Sequence, residues 1–133
     1  MLKLLLIDDD EELCAELREL LETEGFKVDL AFDGLRGLDF LKTRPYQILI
    51  LDLRLPGLNG YGILKSLVEI SRRPKVLVLS GRPLGEPLLS VEGVSNDEEE
   101  RILNIADVVI NKPFMVDHFV QQVKQLAASV EHA

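Results

Sequence analysis

The chain has 133 residues, enough for one domain with a real core and too few for two, and 47% of them are apolar. Its net charge of -8, with no cluster of Lys and Arg, argues against direct nucleic-acid binding and suits basic partners or divalent cations. No signal peptide precedes Lys3 and no apolar run approaches membrane-spanning length, so the expected setting is cytoplasmic and off the membrane. The single cysteine, Cys14, has no internal disulfide partner and lies in an apolar helical pattern, which marks it as core rather than nucleophile.

In chain order, Leu4 to Ile7 is an apolar run that stops at Asp8-Asp9-Asp10, and Leu13, Leu17, Leu20 and Leu21 then recur at helical spacing. Asp10 suits a helix N-cap, and Glu11 and Glu12 fall in the first turn, where the helix dipole favours negative charge. Asp8 and Asp9 have no such structural account. Gly25 ends this helix, Phe26 to Phe32 reads as a second strand with Asp33-Gly34 as the turn, and Leu35, Leu38 and Leu41 mark a second helix stopped near Arg44-Pro45.

Ile48 to Leu51 is apolar at four consecutive positions, which fits a strand buried on both faces, and it ends at Asp52. Pro56-Gly57 and Asn59-Gly60 then turn the chain. Ile63, Leu64, Leu67 and Val68 mark a third helix, and Arg73-Pro74 leads into a fourth strand, Val76 to Leu79, closed by Ser80-Gly81. Arg82 to Ser95, with two prolines, two glycines and no period, reads as a long loop of the kind that tends to be functional or mobile. Ser95 and Glu98 have capping-box spacing for a fourth helix carrying Ile102, Leu103 and Ile105. Val108 to Ile110 is a fifth strand, ended by Lys112-Pro113, and a fifth helix presents Val116, Phe119, Val120, Val123, Leu126, Ala127 and Val130 on one face.

Five βα units in succession predict a parallel α/β sheet with right-handed crossovers and helices on both faces. Ligands bind beyond the carboxyl ends of such strands. Those ends deliver Asp8, Asp9, Asp52, Ser80 and Lys112 to one edge. Carboxylates gathered together repel one another unless they share a cation, and an oxygen-only donor set suits Mg²⁺ or Mn²⁺. A hydroxyl and an ammonium beside that cation make a site for a phosphoryl group, with Asp52 as the nucleophile.

The segments LLLIDDDEE, ILILDLRLPGLNG, VLVLSG and NKPF, in this order and at strand ends, resemble the receiver domain of two-component response regulators over the whole of residues 1–133. The resemblance implies a flavodoxin-like, doubly wound sheet of strand order 2-1-3-4-5. It implies that Asp52 accepts a phosphoryl group and that Asp9 and Asp52 ligate the metal. The backbone carbonyl of Arg54 is the third protein ligand it implies, with Asp8 acting through water. It further implies that Ser80 and Lys112 contact the phosphoryl oxygens and that the Lys112-Pro113 bond is cis. The implied donor is a sensor histidine kinase, a phosphotransfer protein or a small acyl phosphate. The implied output runs to a downstream effector, with a homodimer linked to phosphorylation as a further partner. Such a domain is a stoichiometric phosphoacceptor that catalyses its own phosphorylation and dephosphorylation, not an enzyme acting on a separate substrate.

Three positions depart from the family pattern. The switch aromatic, three residues before the lysine, is Val109, too small to fill space in the same way, so output is expected to use another route, with the 82–95 loop as a partner-specific face. Arg54 and Arg82, two residues beyond Asp52 and Ser80, stand where side chains admit or block the water that attacks the acyl phosphate. No effector domain follows the fifth helix in this sequence. A haloacid-dehalogenase-type phosphatase needs a second aspartate where Arg54 stands, and a flavodoxin needs a Ser/Thr/Gly-rich loop where Asp8 to Asp10 stand. The remaining rival is a degenerate receiver acting as a phosphorylation-independent interaction module.

Overall fold

The computed structural model describes residues 2–55, 60–70, 73–81, 101 and 104–131. The apolar runs form strands β1 (Lys3–Ile7), β2 (Lys27–Ala31), β3 (Ile48–Asp52), β4 (Lys75–Ser80) and β5 (Val108–Asn111). All pair in parallel, in the order β2-β1-β3-β4-β5. Among the described residues, four helices cover the sheet: α1 (Glu11–Thr23), α2 (Gly34–Thr43), α3 (Gly60–Leu67) and α4 (Val116–Glu131). This is the doubly wound arrangement expected from the sequence.

Alternation along the three central strands divides the core in two. Leu4, Leu6, Ile48, Ile50, Leu77 and Leu79 point to one face, where Cys14, Leu17 and Leu21 of α1 meet Phe119, Val123 and Leu126 of α4. Leu5, Ile7, Leu49, Leu51, Val76 and Val78 point to the other, against Phe40 of α2 and Ile63, Leu64 and Leu67 of α3. All twelve strand residues are fully buried, each contributing roughly 1.5–3 kcal/mol relative to exposure. That is why four apolar residues stand in a row before Asp52.

Local signals set the helix ends. The Asp10 carboxylate accepts the Leu13 N–H at 3.1 Å as the cap of α1. At the other end Gly25 takes a left-handed φ of 96°, with Phe26 N–H bonded to Leu21 C=O and Gly25 N–H to Glu22 C=O, both at 3.1 Å, so the turn closes as glycine allows. Lys112-Pro113 is cis.

The structure differs from the sequence expectation in several places. β2 begins at Lys27 and ends at Ala31, leaving Phe26 and Phe32 outside it. Asp33 is the N-cap of α2 and accepts the Arg36 N–H at 2.8 Å. α2 fully buries Gly34, Gly37 and Phe40; of the Leu35/Leu38/Leu41 stripe, Leu38 and Leu41 are half-buried, Leu41 packing against the second core cluster, and Leu35 is 64% exposed. The cause is Gly37, where an added Cβ would collide with the Cδ1 of Ile7, so the helix lies close on β1 along its glycine side. Leu20, Val68 and Val116 are likewise exposed. The expected 82–95 loop, the Ser95/Glu98 cap, and Ile102 and Leu103 lie outside the described residues, whereas Ile105 packs against the second core cluster. No helix among the described residues is long and apolar enough to cross a membrane.

Candidate functional site

β1 and β3 are neighbours, and the pairing of Ile7 with Leu51 puts Asp8 level with Asp52 at their carboxyl ends. Asp52 pairs in turn with Leu79, so Ser80 stands one step beyond it on β4. Ser80 pairs with Asn111, and its carbonyl accepts the Lys112 N–H at 2.7 Å. Backbone register alone therefore brings Asp8, Asp52, Ser80 and Lys112 to one edge. The first three are buried.

Asp8 uses both carboxylate oxygens: Oδ1 accepts the Asp10 N–H at 3.0 Å, and Oδ2 takes Lys112 Nζ at 2.9 Å. Asp52 does the same, with Oδ1 accepting the Arg54 N–H at 3.1 Å and Oδ2 lying 3.4 Å from Lys112 Nζ. One ammonium thus bridges two buried carboxylates. Asp8 is thus both the local acceptor of the Asp10 N–H and a charged member of the cluster. The Arg54 side chain lies at the surface while its amide is committed to Asp52.

Burial is the largest influence on Asp52 and pushes its carboxyl above the usual carboxylate range, with the charge of Asp8 adding to it. The Arg54 N–H and the Lys112 ammonium pull the other way and fall short. Burial alone would lower Lys112, but its bond to Asp8 and the charge of Asp52 outweigh that and hold it above the ordinary lysine value. Lys112 therefore stays cationic at neutral pH.

Carboxylate oxygens of Asp8, Asp9 and Asp52 all lie within 4.8 Å of one another, Asp9 being the exposed member. When ionised, three carboxylates and one ammonium leave an excess of two negative charges, the balance a divalent cation restores. The donors are oxygen only and one is open to water, as hard cations of the Mg²⁺ class require. The residues present therefore fit such an ion.

Sequence reasoning missed one contributor. The buried Cys14 thiol donates to the Asp8 carbonyl at 3.3 Å, bracing the strand end from behind. Its position four residues past the Asp10 cap, on the apolar face of α1, was the available signal.

The model of the response regulator receiver domain matches residues 4–124. The chain belongs to this family. CpxR of Escherichia coli, a transcriptional regulatory protein, is 36% identical to this receiver over 129 residues, covering 95% of the chain and 49% of CpxR. The CpxR homolog of Haemophilus influenzae is 37% identical over 126 residues, covering 95% of this chain and 50% of that protein. The chain spans about half the length of the curated relatives it matches. Among solved structures, a Francisella response regulator receiver domain superposes with a TM-score of 0.75 at 26% identity, covering 95% of this chain and 96% of that one. The response regulator TrrA of Thermotoga maritima, solved with Mg²⁺ and BeF, gives a TM-score of 0.74 at 25% identity, covering 95% and 99%. Membership makes phosphorylation-based two-component signalling the business of this domain.

Proposed function

We propose that this receiver is a switch in which Asp52 accepts a phosphoryl group from a histidine kinase, a phosphotransfer protein or a small acyl phosphate. The observation that carries this reading is the Lys112 ammonium, reaching Asp8 at 2.9 Å and Asp52 at 3.4 Å from the far end of the chain. The ionised Asp52 carboxylate attacks phosphorus. The bond to the donor nitrogen or oxygen breaks with its electron pair leaving on the donor, and an acyl phosphate forms on Asp52. Lys112 pairs with the phosphoryl oxygens and the Ser80 hydroxyl donates to them, which is the charge neutralisation that phosphoryl transfer needs most. Asp9, Asp52 and the Arg54 backbone carbonyl would hold Mg²⁺ or Mn²⁺, with Asp8 helping through water. When bound, the cation supplies further neutralisation of the phosphoryl oxygens. The TrrA structure, with Mg²⁺ and BeF bound, supports this assignment by likeness. The domain is consumed and regenerated stoichiometrically, so it is a phosphoacceptor rather than an enzyme with a separate substrate. The names of its curated relatives support a downstream transcriptional effector in the whole protein, and the setting proposed for it is the cytoplasm.

One observation favours a second reading, the phosphorylation-independent interaction module. Val109, at the family's switch position, is small and 43% exposed, so aromatic packing cannot relay the signal. Incubation with acetyl phosphate and Mg²⁺ followed by intact mass separates the two. A single phosphate adduct is expected, lost in Asp52→Ala, sharply reduced in Asp9→Asn, and absent with chelator. No adduct on the wild-type chain sinks the switch and leaves the module.

A further inference from the structure

A cavity of about 660 Å³ opens between the end of α3 and the chain that leads into β5. Two segments of like make-up line it. Lys65, Val68 and Glu69 belong to one, at the three- and four-residue spacing that shares a helix face, and Arg101, Asn104 and Ile105 repeat that spacing in the other. Arg73, two residues before β4, completes the lining. The cavity therefore lies at the amino ends of β4 and β5, roughly 20 Å along the strand from Ser80 at a rise of ~3.3 Å per residue. Backbone contacts fix both segments. Val68 and Glu69 N–H groups close the last turn of α3 on the Lys65 and Ser66 carbonyls, at 3.3 and 3.4 Å. On the other side Ile105 packs against the second core cluster, and Asp107 binds Val76 twice, N–H to carbonyl and carboxylate to N–H, both at 2.8 Å.

Among the described residues the lining carries three cations and one carboxylate, an excess of two positive charges in a chain whose net charge is -8. A phosphomonoester carries about -1.5 to -2 at neutral pH, the complement of that excess, and arginine binds it through paired N–H donors. The rest of the lining asks for more than phosphate. Val68, 54% exposed, and the half-buried Ile105 offer apolar surface to a flat ring. Glu69 repels a further anion but accepts hydroxyl donors, as a carboxylate does from ribose in nucleotide sites, and Asn104 can both donate to and accept from a base edge. The volume falls within the range of about 300–1,000 Å³ that small-molecule sites occupy. We propose that this cavity binds a nucleoside monophosphate, with the phosphate on Lys65, Arg73 and Arg101, the ribose on Glu69 and the base against Val68 and Ile105. The site is separate from Asp52 and does not depend on the chemistry proposed there.

The test titrates the full chain calorimetrically in EDTA, so that no metal draws nucleotide phosphates to the carboxylate site. AMP or GMP is expected to fill one site, with adenosine and inorganic phosphate each weaker by roughly tenfold or more, since either alone makes only part of the contacts. R73Q and R101Q alter exposed arginines and are each expected to weaken the nucleotide by roughly tenfold or more, with far-UV circular dichroism unchanged. Absence of binding by both nucleotides overturns the proposal. So does binding that R73Q and R101Q leave intact, or inorganic phosphate binding as tightly as AMP, which would reduce the cavity to a simple anion site. Asp97 to Glu100, next to Arg101 in sequence, lie outside the described residues; were they to occupy the cavity themselves, neither nucleotide would bind and the proposal would fail.

Discussion

Cys14 sits with its thiol against the Asp8 carbonyl, and its surroundings decide how the protein meets alkaline pH. Burial first, and the charges of Asp8 and Asp10 after it, push the thiol from 9.0 up to about 12. An unfolded chain loses that proton near the ordinary value while the native chain keeps it. The stability this gives is complete below the ordinary value and lost as pH rises through the raised one, with a slope of about 1.4 kcal/mol per pH unit between them. Lys112, also raised, acts in the same direction. Urea midpoints measured below and within that window should therefore fall for the wild type and fall less for Cys14→Ala, even though the variant starts lower from its small cavity. Parallel pH profiles would contradict the account.

The connection from β3 to α3 governs the site at the scale of elements. Gly60 opens α3 and donates its N–H to the Leu53 carbonyl at 3.1 Å, one residue past Asp52. A Cβ there would stand 2.6 Å from the Leu53 Cα, and backbone cannot swing aside as a side-chain tip can. Gly60→Ala should destabilise by about 1–3 kcal/mol and slow acyl phosphate formation together, because relief comes from moving the segment that bears Asp52 and Arg54. Normal stability with normal labelling would show that the turn has slack. Glycines also explain where sequence reading fell short. The apolar run before Asp52 and the caps Asp10 and Gly25 were legible because their chemistry is local. The orientation of α2 was not, since a pattern of leucines is blind to a helix that approaches its sheet through Gly34 and Gly37. The carboxylates, Ser80 and Lys112 were legible as strand-end residues, but the sharing of one ammonium by Asp8 and Asp52 depends on register between strands far apart in sequence.

For the molecule as a whole, the same three central strands supply both core clusters, so neither half of the core can be lost alone. The chain has two tyrosines and no tryptophan, and both Tyr46 and Tyr61 lie in the cluster beneath α2 and α3, while Cys14 lies in the other. Tyrosine fluorescence and Cys14 accessibility to a thiol reagent thus report opposite faces of one sheet. Their urea midpoints should coincide, and an earlier transition on either side would mean that one helical layer peels away independently.

Asp8 and Lys112 meet although they stand 104 positions apart in sequence. A nascent chain that has emerged only as far as β4 already displays Asp52, yet it lacks the ammonium that offsets the crowded acids. On the proposed function, competence to carry the signal therefore waits until synthesis has passed residue 112 and β5 has docked, and copies that end before Lys112 are expected to take no label from acetyl phosphate.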